Sequence, residues 1–264
     1  MLPGGPVGAF RLRLSERAAR CVRRAAGIVT PVNEPSGRAD LHIHTTLSDG
    51  AATPEEMAAR LARSDLAVAA ITDHDTVEGA LRVREMLAGR GPEVVVGTEV
   101  STAQGHLLAV FVERDVPRGL DARRTIEIIH ERGGLAVAAH PYFPMASLGD
   151  LAGRLPFDAI EVANGTPLGE MANRRAARRL GPSARALVGG SDAHLVGAVG
   201  HVRTHFPGRN AQDLRVAIER GETWPVFDWR AHLRVGPPQL LRMARRMFGD
   251  VAMRRQPSSS RSLP

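Results

Sequence analysis

Short clusters of histidine and acidic residues recur along this chain, and their spacing favours a metal site. His42 and His44 are separated by one residue. Because alternate residues of a strand point to the same side, these two imidazoles can bind one ion without an intervening loop. One pair of histidines at this spacing is only weak evidence for a metal site, because a single histidine is more often a core or surface group. Four further clusters raise the odds: 72–75, Glu99 with His106, 139–141 and 191–194.

The types of side chain narrow the kind of metal site. Imidazole and carboxylate ligands without thiolates suit Zn, Mn, Fe or Ni, and they do not suit a structural zinc held by cysteines. The single cysteine, Cys21, cannot form an intramolecular disulfide, and no zinc or redox motif surrounds it. We therefore expect a catalytic metal centre in a protein of the reducing cytoplasm.

Apolar runs alternate with amphipathic segments from Asp40 onward, which predicts a largely parallel sheet with helices outside it. Helix starts are clear at Thr53, a predicted N-cap followed by Pro54 and by Glu56 in capping-box position. A second helix is predicted over 121–132. Strands are predicted at 39–42, 67–71, 93–97, 106–112, 135–139, 158–162, 187–190 and near 199–204.

Most of the histidine and acidic clusters follow a predicted strand directly. Such a sheet can be open or closed. Ligands spread from the first strand to the last favour a barrel, because a barrel brings all carboxyl-terminal strand ends to one mouth.

Composition and charge divide the chain into three parts. Its 264 residues suit one buried domain, predicted at 39–228, with extensions at 1–38 and 229–264. Residues 1–39 carry seven Arg against two Glu, and residues 229–264 carry eight Arg against one Asp. The whole chain has a net charge of +7, so the middle is acidic at −5. Several metal-binding carboxylates in one domain would produce such a charge.

The basic ends have their own pattern. Residues 10–26 and 238–255 predict amphipathic helices that can bind membranes or nucleic acid, although such helices more often pack on their own domain. Residues 256–264, rich in Ser and Pro, are predicted to be disordered. No apolar run is long enough for a signal-peptide core or a membrane span.

In order, the motifs DLHIHT, SDG, TDHD, GTEVST, AHP and SDAH resemble the PHP (polymerase and histidinol phosphatase) family of metal-dependent phosphoesterases. The resemblance covers about 40–221 and is closest to the branch of nucleotide phosphatases and 5′-to-3′ exoribonucleases. It implies a distorted (β/α)7 barrel, TIM-like, with the metal site at the carboxyl-terminal ends of the strands.

The resemblance also implies two to three divalent ions per chain, with Mn, Zn or Fe as the expected metals. Glu99, Asp192 and His194 are the expected catalytic residues. In some relatives a histidine replaces Asp49. The implied ligands are His42, His44, Glu99 and Asp192 for the first ion, Glu99, His106 and His140 for the second, and Asp49, His74 and His194 for the third.

Residues outside the ligand set can support the site. Asp40, Asp73 and Asp75 are close enough in sequence to hold ligand imidazoles in orientation. Asp75 has an equal claim as the N-cap of a following helix, and Asp40 as a carboxylate that orients a backbone turn. Asn164, after a predicted strand, is a candidate for substrate contact. His201 or His205 would protonate the leaving group if either faces the mouth.

Hydrolysis of a phosphate ester is the reaction that this site favours, on a nucleotide or another small phosphorylated metabolite. Paired cations bind the anionic ester and make hydroxide available at neutral pH, so no protein nucleophile is needed. Accordingly, no nucleophile-elbow, P-loop or dinucleotide motif occurs in the chain.

Three alternatives remain open. An exonuclease on short RNA or DNA would use the basic ends, although one Tyr, two Trp and seven Phe offer few stacking platforms. An amidohydrolase with a carbamylated lysine is disfavoured because the chain has no lysine. A non-catalytic metal-binding or interaction module would be expected to show degenerate ligands, and here all nine positions carry competent side chains.

Overall fold

The structure, a computed structural model, describes residues 36–166 and 169–227. The predicted amphipathic helices at 10–26 and 238–255, the predicted disordered tail and Cys21 therefore lie outside the described residues.

The described part contains nine strands and five α-helices. The strands are β1 Ser36–Asp40, β2 Val68–Ile71, β3 Glu93–Ser101, β4 His106–Val110, β5 Leu135–Ala138, β6 Ala159–Asn164, β7 Leu187–Gly190, β8 Val202–Pro207 and β9 Trp224–Phe227. The helices are α1 Pro54–Leu61, α2 Glu78–Leu87, α3 Ala122–Glu131, α4 Glu170–Arg179 and α5 Ala211–Arg220.

Local sequence explains where several helices begin. The predicted capping box of α1 is confirmed: the Glu56 main-chain N–H donates to the Thr53 hydroxyl, and the Thr53 main-chain N–H donates to the Glu56 carboxylate. Asp121 caps α3 by accepting from the Arg123 N–H. These side chains satisfy main-chain donors that have no partner inside the helix, which fixes the first turn.

The strands form one sheet in the order β7-β6-β5-β4-β3-β2-β1-β8-β9. The pairs β1–β2, β2–β3, β5–β6 and β6–β7 are parallel, whereas β4, β8 and β9 pair antiparallel with their neighbours. The Thr204 hydroxyl hydrogen-bonds the main chain of Gly189, linking β8 to β7, and an isolated parallel bridge joins Ile43 to Ala193. The sheet is thus nearly closed, and the predicted distorted barrel is confirmed.

Several strand predictions differ from the structure. β1 spans Ser36–Asp40 and not 39–42, because residues 36–39 pair with β8, and β8 itself spans Val202–Pro207 and not 199–204. β3 continues to Ser101, past its predicted end at residue 97, because residues 97–101 pair in antiparallel register with β4. β9 was not predicted, and it contains a proline, Pro225. β9 pairs with β8 alone and lies at the end of the strand order, where a proline is tolerated.

Alternate residues of the strands pack into two separate apolar layers. Ala69 and Ile71 pack with residues of α1, α2 and α3, whereas Val68 and Ala70 pack with Leu214 and other residues of α5. Helix α5 also reaches the amino ends of the strands: the Ala211 N–H donates to the Glu93 carboxylate, and Arg215 donates to the Gly133 carbonyl. α5 therefore covers one end of the barrel, and the carboxyl-terminal strand ends are left for the site.

Candidate metal centre

All nine predicted ligands lie together at the carboxyl-terminal mouth of the barrel. Most follow a strand that runs toward this mouth. His106 is instead the first residue of β4, and it reaches the same end because β4 runs antiparallel to β3. His42, His44 and Glu99 are buried, whereas the Asp49 side chain is 41% exposed. Neighbouring groups of these ligands have residues in common, so the nine side chains form one connected cluster.

The two carboxylate oxygens of Glu99 face different groups of imidazoles. Glu99 Oε1 lies 3.0 Å from His106 Nδ1 and 3.0 Å from His140 Nε2. Glu99 Oε2 lies 3.0 Å from His42 Nε2, 3.2 Å from His44 Nε2 and 3.6 Å from His74 Nε2. A carboxylate with ligand nitrogens on both sides has the geometry of a bridge between two ions.

Asp192 completes the group around His42 and His44. Its Oδ1 lies 3.6 Å from His42 Nε2, 3.3 Å from His44 Nε2 and 3.5 Å from His194 Nδ1. Its backbone has a φ of 51°, a left-handed conformation that few non-glycine residues adopt. His140, with a φ of 26°, shares this feature. Unusual backbone at two ligands is typical of a site whose geometry the surrounding structure enforces.

Asp49 gathers the histidines on the outer side of the cluster. Its Oδ2 lies 3.2 Å from His194 Nε2 and 3.6 Å from His74 Nε2, and its Oδ1 lies 3.4 Å from His44 Nδ1. Since Asp49 is the most exposed of the nine, this group faces the mouth of the barrel.

Electrostatics make the cluster a site for cations. Burial would raise the pKa of Glu99, but His42, His74 and other imidazoles hold it well below its ordinary value. Burial lowers the pKa of His44, while the carboxylates of Asp192 and Glu99 raise it to about 10. The carboxylates are thus ionised, and positive charge beside them stabilises them. A divalent ion can supply that charge in place of the protons on the imidazoles.

The donor set fits divalent ions. Both ring nitrogens of His44 and Nδ1 of His74 are buried without a hydrogen bond, a costly arrangement for polar atoms unless another partner is present. Four overlapping groups have ligand atoms within 4.8 Å of one another: His42, Glu99 and His140; His42, His44 and Asp192; His44, His74 and Glu99; and His44, Asp49 and His194.

Comparison with known proteins identifies the family. A model of the PHP domain matches residues 40–178, more than half of the chain, and a PHP-associated model matches residues 170–223. The chain belongs to the PHP domain family. The resemblance seen in the sequence is therefore confirmed, and the expected enzyme class, metal-dependent phosphoric ester hydrolases, is confirmed at the level of the family.

Relatives and structures agree with this membership. An uncharacterized protein of Methanocaldococcus jannaschii is 38% identical over 139 residues, which are 48% of this chain and 81% of that protein. The 3′,5′-nucleoside bisphosphate phosphatase of Chromobacterium violaceum is 42% identical over 82 residues. That match is 30% of this PHP protein and only 29% of the phosphatase.

A solved structure from Bacteroides vulgatus, a two-domain protein containing a predicted PHP-like metal-dependent phosphoesterase, superposes with a TM-score of 0.61 at 19% identity. It covers 75% of this chain and 69% of that one, which supports the fold. In the part of the chain that the structure describes, no helix is long and apolar enough to cross a membrane.

Asp40 and Asp73 support the PHP site through hydrogen bonds to main-chain and hydroxyl groups. Asp40 accepts hydrogen bonds from Ser191 N, Ser191 Oγ and Gly200 N, and so holds the turn that carries Asp192. Asp73 accepts from the main chain and hydroxyl of Thr45 and from Ser48, and so holds the loop after His44. Main-chain and hydroxyl donors occupy both carboxylates, so their predicted contacts with ligand imidazoles are wrong. The alternative role of Asp40, orienting a backbone turn, is confirmed.

Asp75 is also corrected by the structure. Its Oδ1 accepts from the Ser101 N–H, and its Oδ2 lies 3.9 Å from Arg118. Within the described residues it neither contacts an imidazole nor caps a helix, since the N-cap of α2 is Val77, whose N–H donates to Asp115. Asp75 instead ties the loop after β2 to the end of β3.

The carboxylate that does contact a ligand imidazole from behind is Glu161, which sequence reasoning missed. Its Oε1 lies 3.1 Å from His42 Nδ1. Glu161 lies inside β6 with apolar neighbours on both sides, and its side chain is 1% exposed. An acidic residue in the middle of an apolar strand is the one signal that could have found it, since such a charge is rarely buried without a partner.

Asn164 and His201 are buried, and the ring of His205 lies beside an aromatic ring. Asn164 is buried; its side-chain NH₂ donates to Glu161 and Asp192, and its carbonyl oxygen accepts from Thr166 N. These bonds engage both ends of the Asn164 amide, and its contact with a substrate stays a prediction. His205 packs against the Trp224 ring, 6.1 Å away, and His201 is buried. Neither is assigned as a proton donor.

Proposed function

We propose that this chain is a metal-dependent phosphoesterase that hydrolyses a phosphate ester of a nucleotide or another small phosphorylated metabolite. The proposal depends on one observation: the two carboxylate oxygens of Glu99 face separate groups of histidines. This is the arrangement that a paired-ion phosphoesterase needs.

The nine candidate ligands would hold three ions. A first ion would be held by His42, His44, Glu99 and Asp192, a second by Glu99, His106 and His140, and a third by Asp49, His74 and His194. We propose Mn, Zn or Fe, because imidazole and carboxylate ligands suit these metals. When bound, such ions neutralise the phosphate ester and make hydroxide available at neutral pH.

The protein's own residues then hold this geometry. Glu99 keeps the two groups of histidines at a fixed separation. The buried imidazoles would bind the ions as neutral ligands, so the positive charge of the ions would remain available to an anionic ester. The exposed Asp49 side of the cluster is where a substrate would enter. The similarity to a nucleoside bisphosphate phosphatase supports a nucleotide as substrate.

The proposal is tested by purifying the full chain without chelator and measuring both metal content and phosphate release. The panel contains mononucleotides, 3′,5′-bisphosphonucleotides and short 5′-phosphorylated RNAs, each with added Mn²⁺. Two to three metals per chain with release from the monomers is the expected result. Mononucleotide products from RNA, with no phosphate release from the monomers, would identify an exonuclease. Bound metal without any hydrolysis of these substrates would contradict the proposed phosphoesterase.

A further inference from the structure

Glu161 lies at the meeting point of three hydrogen bonds on the buried side of the cluster. Its Oε1 lies 3.1 Å from His42 Nδ1. Its Oε2 accepts from the main-chain N–H of His140 at 2.9 Å and from Asn164 Nδ2 at 3.0 Å. The His140 N–H and the Asn164 NH₂ group can only donate, and His42 Nδ1 donates when it carries the ring proton, so a carboxylate is the side chain that can accept from all three.

We propose that Glu161 is a positioning residue that orients three ligands of the metal centre. The inference rests on the proposed metal-dependent function, because it assigns Glu161 a role toward those ions. With His42 Nδ1–H donating to Glu161, the lone pair of Nε2 points to the side where Glu99 Oε2 lies, 3.0 Å away. Holding the other ring nitrogen is how ligand tautomers are fixed in metal sites.

The second ligand that Glu161 orients is His140. The His140 backbone has a φ of 26°, and its N–H donates to Glu161 Oε2. This bond holds the main chain in a conformation that a histidine rarely adopts. The conformation in turn places His140 Nε2 3.0 Å from Glu99 Oε1.

The third ligand, Asp192, is reached through Asn164. The Asn164 side-chain nitrogen donates to Glu161 Oε2 and also, at 3.2 Å, to Asp192 Oδ2. The Thr166 hydroxyl donates to the same Asp192 oxygen at 2.6 Å. Asp192 Oδ1 is thereby left to face His42 and His44.

Gly190 packs closely against both Glu161 and His42. A Cβ added at Gly190 would lie 2.7 Å from Glu161 Oε1 and 2.5 Å from the His42 Cβ. Strand β7 therefore presses directly on the pair, and glycine is required there.

The conservative substitution Glu161→Gln tests the role. Whichever way the amide turns, its NH₂ group meets a donor, either His42 Nδ1–H or the two donors on the Oε2 side. His42 can escape this conflict only by moving its proton to Nε2, where the ion would bind. We therefore expect Glu161→Gln to weaken the binding of at least one ion by about 10- to 100-fold.

Asp158→Asn is the matched control. Asp158 is also a buried carboxylate beside β6 and also contacts a histidine, with His130 Nε2 2.8 Å from its Oδ2, but it lies at the opposite end of that strand. The measurement is competition for Zn²⁺ or Mn²⁺ between the full chain and a chromophoric chelator, together with the rise in Tm on metal addition. The control should keep the metal affinity of the wild type.

The outcomes separate this inference from the proposed function. A wild-type chain that binds no metal would overturn both. A wild type that binds metal, with Glu161→Gln equal to it in affinity, would overturn the inference alone, as would equal losses in Glu161→Gln and Asp158→Asn. If Glu161→Gln does not fold, Asn164→Ala is the second variant. It keeps the Glu161 contacts with His42 and His140 but removes the amide that joins Glu161 to Asp192 and accepts from Thr166. A weaker but measurable loss of metal affinity is expected, and no loss overturns the inference.

Discussion

Glu99 is the residue on which the proposed centre most depends, because it contacts imidazoles with both oxygens. Replacing it with Gln leaves one oxygen and one NH₂ group, and the NH₂ group cannot bind an ion. We expect Glu99→Gln to lower metal content by about one ion per chain or more, and to lower affinity by more than the roughly 10- to 100-fold typical of outer-shell partners. Elemental analysis and phosphate release on the same preparation check this.

Glu113→Gln is the control for that substitution. Glu113 is exposed and pairs with Arg84 on the protein surface, so its loss should change neither metal content nor rate. Retained metal stoichiometry and activity in Glu99→Gln would contradict the bridging role.

At the residue scale, the sequence indicated the histidines far better than their supports. His42 and His44 were predictable because two like side chains at alternate positions can share an ion. Glu161 was not predicted, because sequence spacing does not show that residue 161 lies beside residue 42. Its partner is 119 positions away, and only the pairing of strands brings them together.

At the element scale, the strand ends were predictable and the directions of the strands were not. The apolar runs located β2, β5 and β7 closely. The alternation alone favoured parallel strands, yet β4 runs antiparallel, and that direction places His106 at the mouth. The preference arises from the short 102–105 connection between β3 and β4, since a short link suits a hairpin and a parallel crossover needs a longer one.

Strand β8 gives a prediction about acid stability. His205 lies opposite Arg38 of β1 and Trp224 of β9. Burial, with the charges of Arg203 and Arg38, lowers the pKa of His205 to about 4. The unfolded chain takes up this proton near its ordinary pKa of 6.5, so the folded protein should lose stability as the pH falls from about 6.5 to about 4.

His205→Gln should reduce that loss. The measurement is the urea midpoint of the wild type and the variant at pH 7.5 and pH 4.5. The ligand histidines are common to both proteins, so their own pH dependence cancels in the comparison. A variant that loses as much stability between the two pH values as the wild type would show that His205 does not cause the loss.

At the scale of the whole molecule, the barrel separates stability from chemistry. Helix α5 covers the amino ends of the strands, and the nine candidate ligands gather at the other end. The sequence suggested closure only because ligands were spread from the first strand to the last. The contacts that complete it, such as Thr204 with Gly189, involve ordinary side chains that no motif marks.

The basic end of the chain gives the last prediction. Residues 239–264 contain six Arg and one Asp, whereas every candidate ligand lies between His42 and His194. Deleting 239–264 should therefore leave the turnover of a small aryl phosphate unchanged. If short RNA is a substrate, its cleavage alone should fall and become less salt-dependent, because arginines that neutralise phosphates are removed. Loss of folding in the deletion would instead show that this segment is part of the domain.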